Sequence, residues 1–122
     1  MGRRKGLNLN EIDKNIEQAF SVKNLKAVAL QINSPGGSPV QSEMISQRIR
    51  SLSEKNNVPV LAFIEDVAAS GGYWLACSAD EIFASKASIV GSIGVVSSGF
   101  GFDKAIQKIG IERRLYTSGD NK

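Results

Sequence analysis

Two apolar periods alternate along the chain, one suited to helices and one to buried strands. Ile12, Ile16, Ala19 and Phe20 recur at helical spacing, and Asn8 or Asn10 stands where an N-cap is needed. The run KAVALQI (Lys26–Ile32) predicts a buried strand, which NSPGGS then breaks with Pro35, Gly36 and Gly37. A second helix opens with strong signals. Ser38 is placed as N-cap, Pro39 at the first helical position, and Gln41 to complete a Ser-x-x-Gln capping box. Its inward face is expected to carry Val40, Met44, Ile45, Ile49 and Leu52.

VPVLAFI (Val58–Ile64) predicts a second buried strand, followed by a turn at Ser70. An apolar helix over 71–79 then carries Tyr73, Trp74, Leu75, Ala76 and Cys77, with Cys77 expected in the core. EIFAS (Glu81–Ser85) predicts a short third strand, and another is expected at Gly94–Ser97 within the glycine-rich GSIGVVSSGFGF. FDKAIQKIG predicts a helix over Phe102–Ile109 closed by Gly110, and IERRLYTS a last strand. Strands alternating with helices imply an α/β fold with right-handed crossovers and a mainly parallel sheet. Ligands of such sheets bind beyond the carboxyl ends of the strands. The loops Asn33–Ser38 and Asp66–Gly72 both fall at such ends, so they should lie side by side.

Composition narrows the class. At 122 residues, 42% hydrophobic and 22% charged, the chain has the make-up of one ordinary globular domain. No apolar run approaches the ~20 residues that cross a bilayer. Met1-Gly2-Arg3-Arg4-Lys5 leads into polar residues, not a signal-peptide core, so any membrane anchor is expected outside this chain. The lone Cys77 excludes an intramolecular disulfide, and without histidine there is no zinc ligand set; no metal or cofactor is expected. The net charge of +3 comes from scattered clusters, Arg3-Arg4-Lys5, Arg48/Arg50 and Arg113-Arg114. That pattern is a solvated surface and implies no nucleic-acid partner.

Candidate chemistry centres on Ala69-Ser70-Gly71-Gly72. Ser70 has two readings: an N-cap for the helix that follows, or a nucleophile where a helix N-terminus favours developing negative charge. The stretch is not a Gly-x-Ser-x-Gly elbow, because Ala68 stands at the first glycine position. SPGGS lacks the Gly-Lys-Ser/Thr ending of a phosphate loop. It is either a plain turn or half of an oxyanion hole, with the amide of Gly36 or Gly37 joining that of Gly71. The base is the difficulty. Glu65, Asp66 and Asp80 are nearby, but a carboxylate near pKa ~4 is a poor partner for a serine hydroxyl. Elimination leaves a lysine, whose pKa must fall from ~10.4 toward ~7–8, about 4 kcal/mol of desolvation. Spacing alone does not say which lysine.

VALQINSPGGSPVQSEMI, VPVLAFIEDVAASGGYWLACSADEIFASKASIVGSIGV and GIERRLYTSGDNK together resemble the signal peptide peptidase A family, the S49 serine peptidases. The likeness runs from about Lys26 to the last residue. It implies a ClpP/crotonase-like superhelix of ββα units and a Ser–Lys dyad. By this resemblance Ser70 is the nucleophile, Lys122 the general base, and Gly37 and Gly71 the oxyanion donors; Ser92 orients the lysine. The implied substrates are apolar signal peptides, and the implied setting is a homo-oligomer associated with the extracytoplasmic side of a membrane. The family's amino-terminal anchor and early strand are missing from these 122 residues, and the chain stops on the proposed base. A terminal α-carboxylate beside that amine favours its charged form. The expectation is therefore a single peptidase domain over 1–122, truncated at both ends and weakly active or inactive. Two alternatives accompany it: a non-catalytic truncated subunit, and a crotonase-type acyl-CoA enzyme. The second needs glutamates for proton transfer, and the Ser70 turn has none in the equivalent place.

Overall fold

The computed structural model describes residues 6–98 and 115–118. The chain divides between Ser92 and Ile93 into two compact units.

The first unit opens with α1 (Leu9–Phe20), capped by Asn8, whose side chain accepts from the Asn10 amide at 3.0 Å. The second helix, α2 (Pro39–Asn56), begins as expected with Ser38 accepting from the Gln41 amide. Gln41 does not close the capping box. Its Oε1 instead accepts from the Leu9 amide at 2.8 Å, tying the starts of the two helices together. Arg48 of α2 reinforces the pairing through Asp13, at 2.7 Å, and Glu17.

β1 (Val28–Ser34), β2 (Val60–Ala69), β3 (Glu81–Ala84) and β4 (Ile89–Gly91) form a parallel sheet. β2 is its axis. β1 lies on one side, while β3 and then β4 share the other, pairing with Leu61–Ile64 and Val67–Ala69 respectively. The expected strand at 58–64 thus starts two residues late and runs five residues further, to the edge of Ser70. β4 was not anticipated. On the helix side, Val28, Ile32, Val60, Ala62, Ile64 and Ala68 pack with Phe20, Ile45, Ile49, Leu52 and Leu75 into one core.

Two expectations about burial fail for geometric reasons. Val40 and Met44 are 61% and 43% exposed, because the inward stripe of α2 runs through Ser42, Ile45, Ile49, Leu52 and Ser53. α3 (Gly71–Ala76) is only six residues long. Beyond it the Ser78 and Ala79 amides bond back three residues to Leu75 and Ala76, a tighter turn that leaves Cys77 exposed, not in the core.

In the second unit, β5 (Val95–Ser98) pairs antiparallel with β6 (Leu115–Ser118), Val95 opposite Ser118. The helix expected over 102–109 lies outside the described residues. Among the described residues, no helix is long and apolar enough to cross a membrane. The mixed α/β architecture with mainly parallel strands agrees with the ClpP/crotonase-like class.

Candidate active site

The site is built where β1 and β2 end. β2 delivers Ser70 directly, with φ 53° and ψ −119°. Such a positive φ is uncommon for a residue with a side chain and holds of order 1–3 kcal/mol of strain. The serine occupies the N-cap position of α3, and the Trp74 amide donates to its carbonyl at 3.0 Å. Its side chain, however, makes no capping hydrogen bond. The capping reading of Ser70 therefore does not account for the residue, and the strained turn aims its Cβ by backbone geometry.

The SPGG loop packs against this turn, as the sheet topology predicted. A Cβ placed on Gly36, whose φ is +107°, would lie 2.8 Å from Ser70 Cβ and 2.9 Å from the Gly71 amide nitrogen. Only glycine permits that approach. A Cβ on Gly72 would overlap the Ser34 carbonyl oxygen, so the end of β1 also sits hard against α3. The two candidate donors then separate. The Gly36 amide donates to Ser34 Oγ at 3.1 Å. Gly37, the next residue, makes no hydrogen bond to the described residues and lies close to Gly71, whose added Cβ would fall 3.3 Å from the Gly37 nitrogen. Gly71 is the first residue of α3, where an amide has no acceptor within the helix.

Ser92 arrives from the other side of β2. β4 pairs so that Gly91 lies opposite Ala69, and the Ser70 amide donates to the Gly91 carbonyl at 2.9 Å. Ser92 follows at φ 55°, exposed and one residue from that contact. The structure thus gathers Ser70, Gly37, Gly71 and Ser92 at one place. Lys122 lies outside the described residues.

Neighbouring titratable groups are committed elsewhere. Asp66 accepts from Asn33 Nδ2 at 3.0 Å, and Glu65 accepts from Gln31 Nε2. Asp80 sits at the opposite end of β2, held below the ordinary carboxylate range first by the Val60 amide and then by Arg50. The Tyr73 hydroxyl is raised above its ordinary range, chiefly by a hydrogen bond with Cys77, which makes it a poor base at neutral pH. A groove of about 860 Å³ opens beside the turn, with Leu7, Ile12, Pro35, Gly36 and Val67 among its walls and Asp66 also lining it.

The sequence profile of peptidase family S49 matches residues 53–122, more than half of the chain. The chain belongs to peptidase family S49. Among its relatives, the serine protease SPPA of Arabidopsis thaliana chloroplasts is 40% identical over 107 residues, covering 85% of this chain and 16% of that protein. A protein of Brucella melitensis named as the Na(+)/H(+) antiporter NhaA is 58% identical over 107 residues, covering 88% of this chain but 14% of that protein. The chain therefore spans about a seventh of the length of these relatives. An enoyl-CoA hydratase/isomerase family member superposes with a TM-score of 0.49 at 18% identity, over 86% of this chain and 43% of that one, and at that level it adds nothing to the assignment.

Sequence reasoning missed two contributors in this S49 chain. Ser34 occupies the Gly36 amide, and Ser42 packs under Gly71. Gly72, which admits the Ser34 carbonyl, was signalled by the glycine pair after Ser70. Nothing in the apolar pattern signalled the two serines.

Proposed function

We propose that this chain carries the catalytic serine of an S49 peptidase and hydrolyses peptide bonds through Ser70 and Lys122. The observation that carries the reading is the strained Ser70 turn, with Gly37 and Gly71 packed together behind it. A serine that merely capped α3 would accept a hydrogen bond from that helix with its side chain, and the Ser70 side chain makes no such capping bond.

In this reading Ser70 Oγ attacks the scissile carbonyl carbon and its proton passes to the neutral amine of Lys122. The carbonyl oxygen takes up the negative charge and is received by the Gly37 and Gly71 amides. Donors preorganised at such an oxygen are worth ~3–4 kcal/mol each. The C–N bond then breaks, Lys122 returns the proton to the leaving amine, and an acyl-Ser70 ester remains. Water attacks that ester with the same lysine as base, restoring the hydroxyl. In this reading Ser92, one residue from the Ser70–Gly91 bond, takes the role of orienting the lysine amine. The groove beside Gly36 mixes Leu7, Ile12, Pro35 and Val67 with Glu11 and Asp66; its apolar part has room for the hydrophobic side chains of a signal peptide, the substrate class that the family reading implies. Membrane association on the extracytoplasmic side and assembly into a homo-oligomer follow from the same family reading. The exposed, stacked Phe63 and Phe83, with ring centroids 5.0 Å apart, fit a surface that an assembly covers. The acyl-CoA alternative gains no support, since Glu65 is engaged by Gln31.

A fluorophosphonate probe and a fluorogenic apolar peptide test the proposal. Ser70→Ala should abolish labelling and lower turnover by at least about 10³-fold. Lys122→Met should do the same to turnover, and Lys122→Arg should not restore it, because guanidinium stays charged. Turnover unaffected by loss of Ser70 would end the serine-peptidase reading. Turnover that survives Lys122→Met would end the role of the lysine alone.

A further inference from the structure

Ser42 is a polar residue on the core-facing stripe of α2, with no exposed surface at all. Its hydroxyl donates to the Ser38 carbonyl at 2.9 Å, and the same carbonyl accepts from the Ser42 amide at 3.0 Å. A hydroxyl held in its own helical turn cannot swing away without leaving a buried donor unsatisfied. What it faces is the start of α3. A Cβ on Gly71 would overlap Ser42 Oγ, and the same space is bounded by the Gly37 nitrogen and Leu7 Cδ1, each 3.3 Å from that Cβ. The space next to Gly71 is therefore filled by Ser42 from one side and closed by Gly37 from another.

We propose that Ser42 is a positioning residue for the oxyanion site, its fixed hydroxyl setting how closely Gly71 approaches Gly37. This rests on the peptidase reading, in which those two glycines supply the amides that receive the carbonyl oxygen. The residue type follows from the spacing. Alanine would let α3 settle toward α2 and bring the amides out of alignment. Valine would add bulk against a backbone that has no room to yield, and would remove the hydrogen bond to Ser38. Neither change touches the nucleophile or the base. The loss should therefore appear in kcat and leave KM and the pH profile alone, because a donor to the developing oxyanion acts in the transition state more than in the bound substrate.

The test compares Ser42→Ala, Ser42→Val and Ser70→Ala in the full chain, following hydrolysis of an apolar peptide and thermal unfolding. Ser42→Val should lower kcat about 100-fold, the lower end of what losing one oxyanion donor does. Ser42→Ala should lower it about 10-fold. Both should keep KM within about twofold and retain the shape of the kcat–pH profile. Parental kcat in folded variants would overturn the proposal, as would losses that follow the fall in melting temperature. Should Ser42→Val fail to unfold cooperatively, Ser42→Ala decides on the same criteria. Parental turnover by Ser70→Ala would instead overturn the peptidase reading, and with it the positioning role.

Discussion

The two ends of β2 are built on opposite principles. At its start, Val60 is fully buried and its amide donates to Asp80 Oδ2 at 2.8 Å, while Val60 returns its carbonyl to the Asp80 amide at 2.8 Å. Arg50 closes that end, donating to Asp80 Oδ1 at 3.0 Å. Strand start, carboxylate and guanidinium there are paired with one another. At its finish, the chain enters Ser70 at positive φ, Gly36 presses on the turn, and among the described residues the Gly37 amide meets no acceptor. One strand thus separates what holds the fold from what, in the proposed reading, meets a substrate. On that reading, stability is spent at the carboxyl end because peptide hydrolysis needs a strained turn and backbone donors there.

The largest test of that contrast replaces the strained serine itself. Glycine adopts the Ser70 backbone without strain, so Ser70→Gly should raise stability by about 1 kcal/mol, the strain relieved less glycine's extra chain entropy. Turnover should fall at least about 10³-fold in the same protein. A destabilised Ser70→Gly in chemical denaturation would show that the turn stores nothing. Gly36→Ala comes next. Strain at its φ of +107° and overlap with the Ser70 turn should cost about 1–3 kcal/mol, and displaced amides should cost about 10²–10³-fold in kcat. Full activity in a folded Gly36→Ala would separate the loop from the site.

At the anchored end, Asp80→Asn should lower the melting temperature and leave kcat and KM alone. The sign follows from its depressed carboxyl. The charged form is the one the folded state favours, so its contribution is complete above the ordinary carboxylate range near ~4. That contribution is lost as pH falls through the lower folded value. The variant should therefore sit below the parent at pH 7 and close the gap in acid; melting curves that stay parallel from pH 7 to pH 2 would contradict this. The smallest effect is expected at Ser38→Ala, where loss of the α2 cap should cost about 1 kcal/mol in denaturant titration. The Ser38–Gln41 bond is 3.5 Å long, so the lower part of the measured range for caps is the appropriate expectation. A change in KM with that variant would mean the cap also shapes the groove.

Legibility in the sequence followed the strength of local signals. α1, β1 and the start of α2 could be read because caps and apolar period agree there. The extension of β2 could not, since Glu65 and Asp66 interrupt the apolar run where the ladder shifts: Ile32 pairs with Ile64, and Ser34 with Ala68. β4 is three residues long and has no period to detect. Ser70, Gly71 and the Gly36–Gly37 pair stood out because glycines flank a turn at a strand end, a backbone signal that survives in one sequence, while the choice of Gly37 within the pair came from resemblance. Ser42 is buried and Ser34 half-buried, each holding backbone in place, and composition treats a serine as surface. Lys122 came from resemblance alone, since a lysine has no local signature of the partner it will meet.

The four residues between β3 and β4 act as a ruler. Ser88 Oγ donates to the Glu65 carbonyl, and the Ser85 amide donates to Ser88 Oγ, so this short bridge is pinned across the stretch of β2 that neither strand covers. Deleting one of them would slide β4 by a single step, invert which of its side chains face the helices, and take Gly91 out of reach of the Ser70 amide. The number of those positions is therefore fixed, and at Ser88 the hydroxyl is fixed with it.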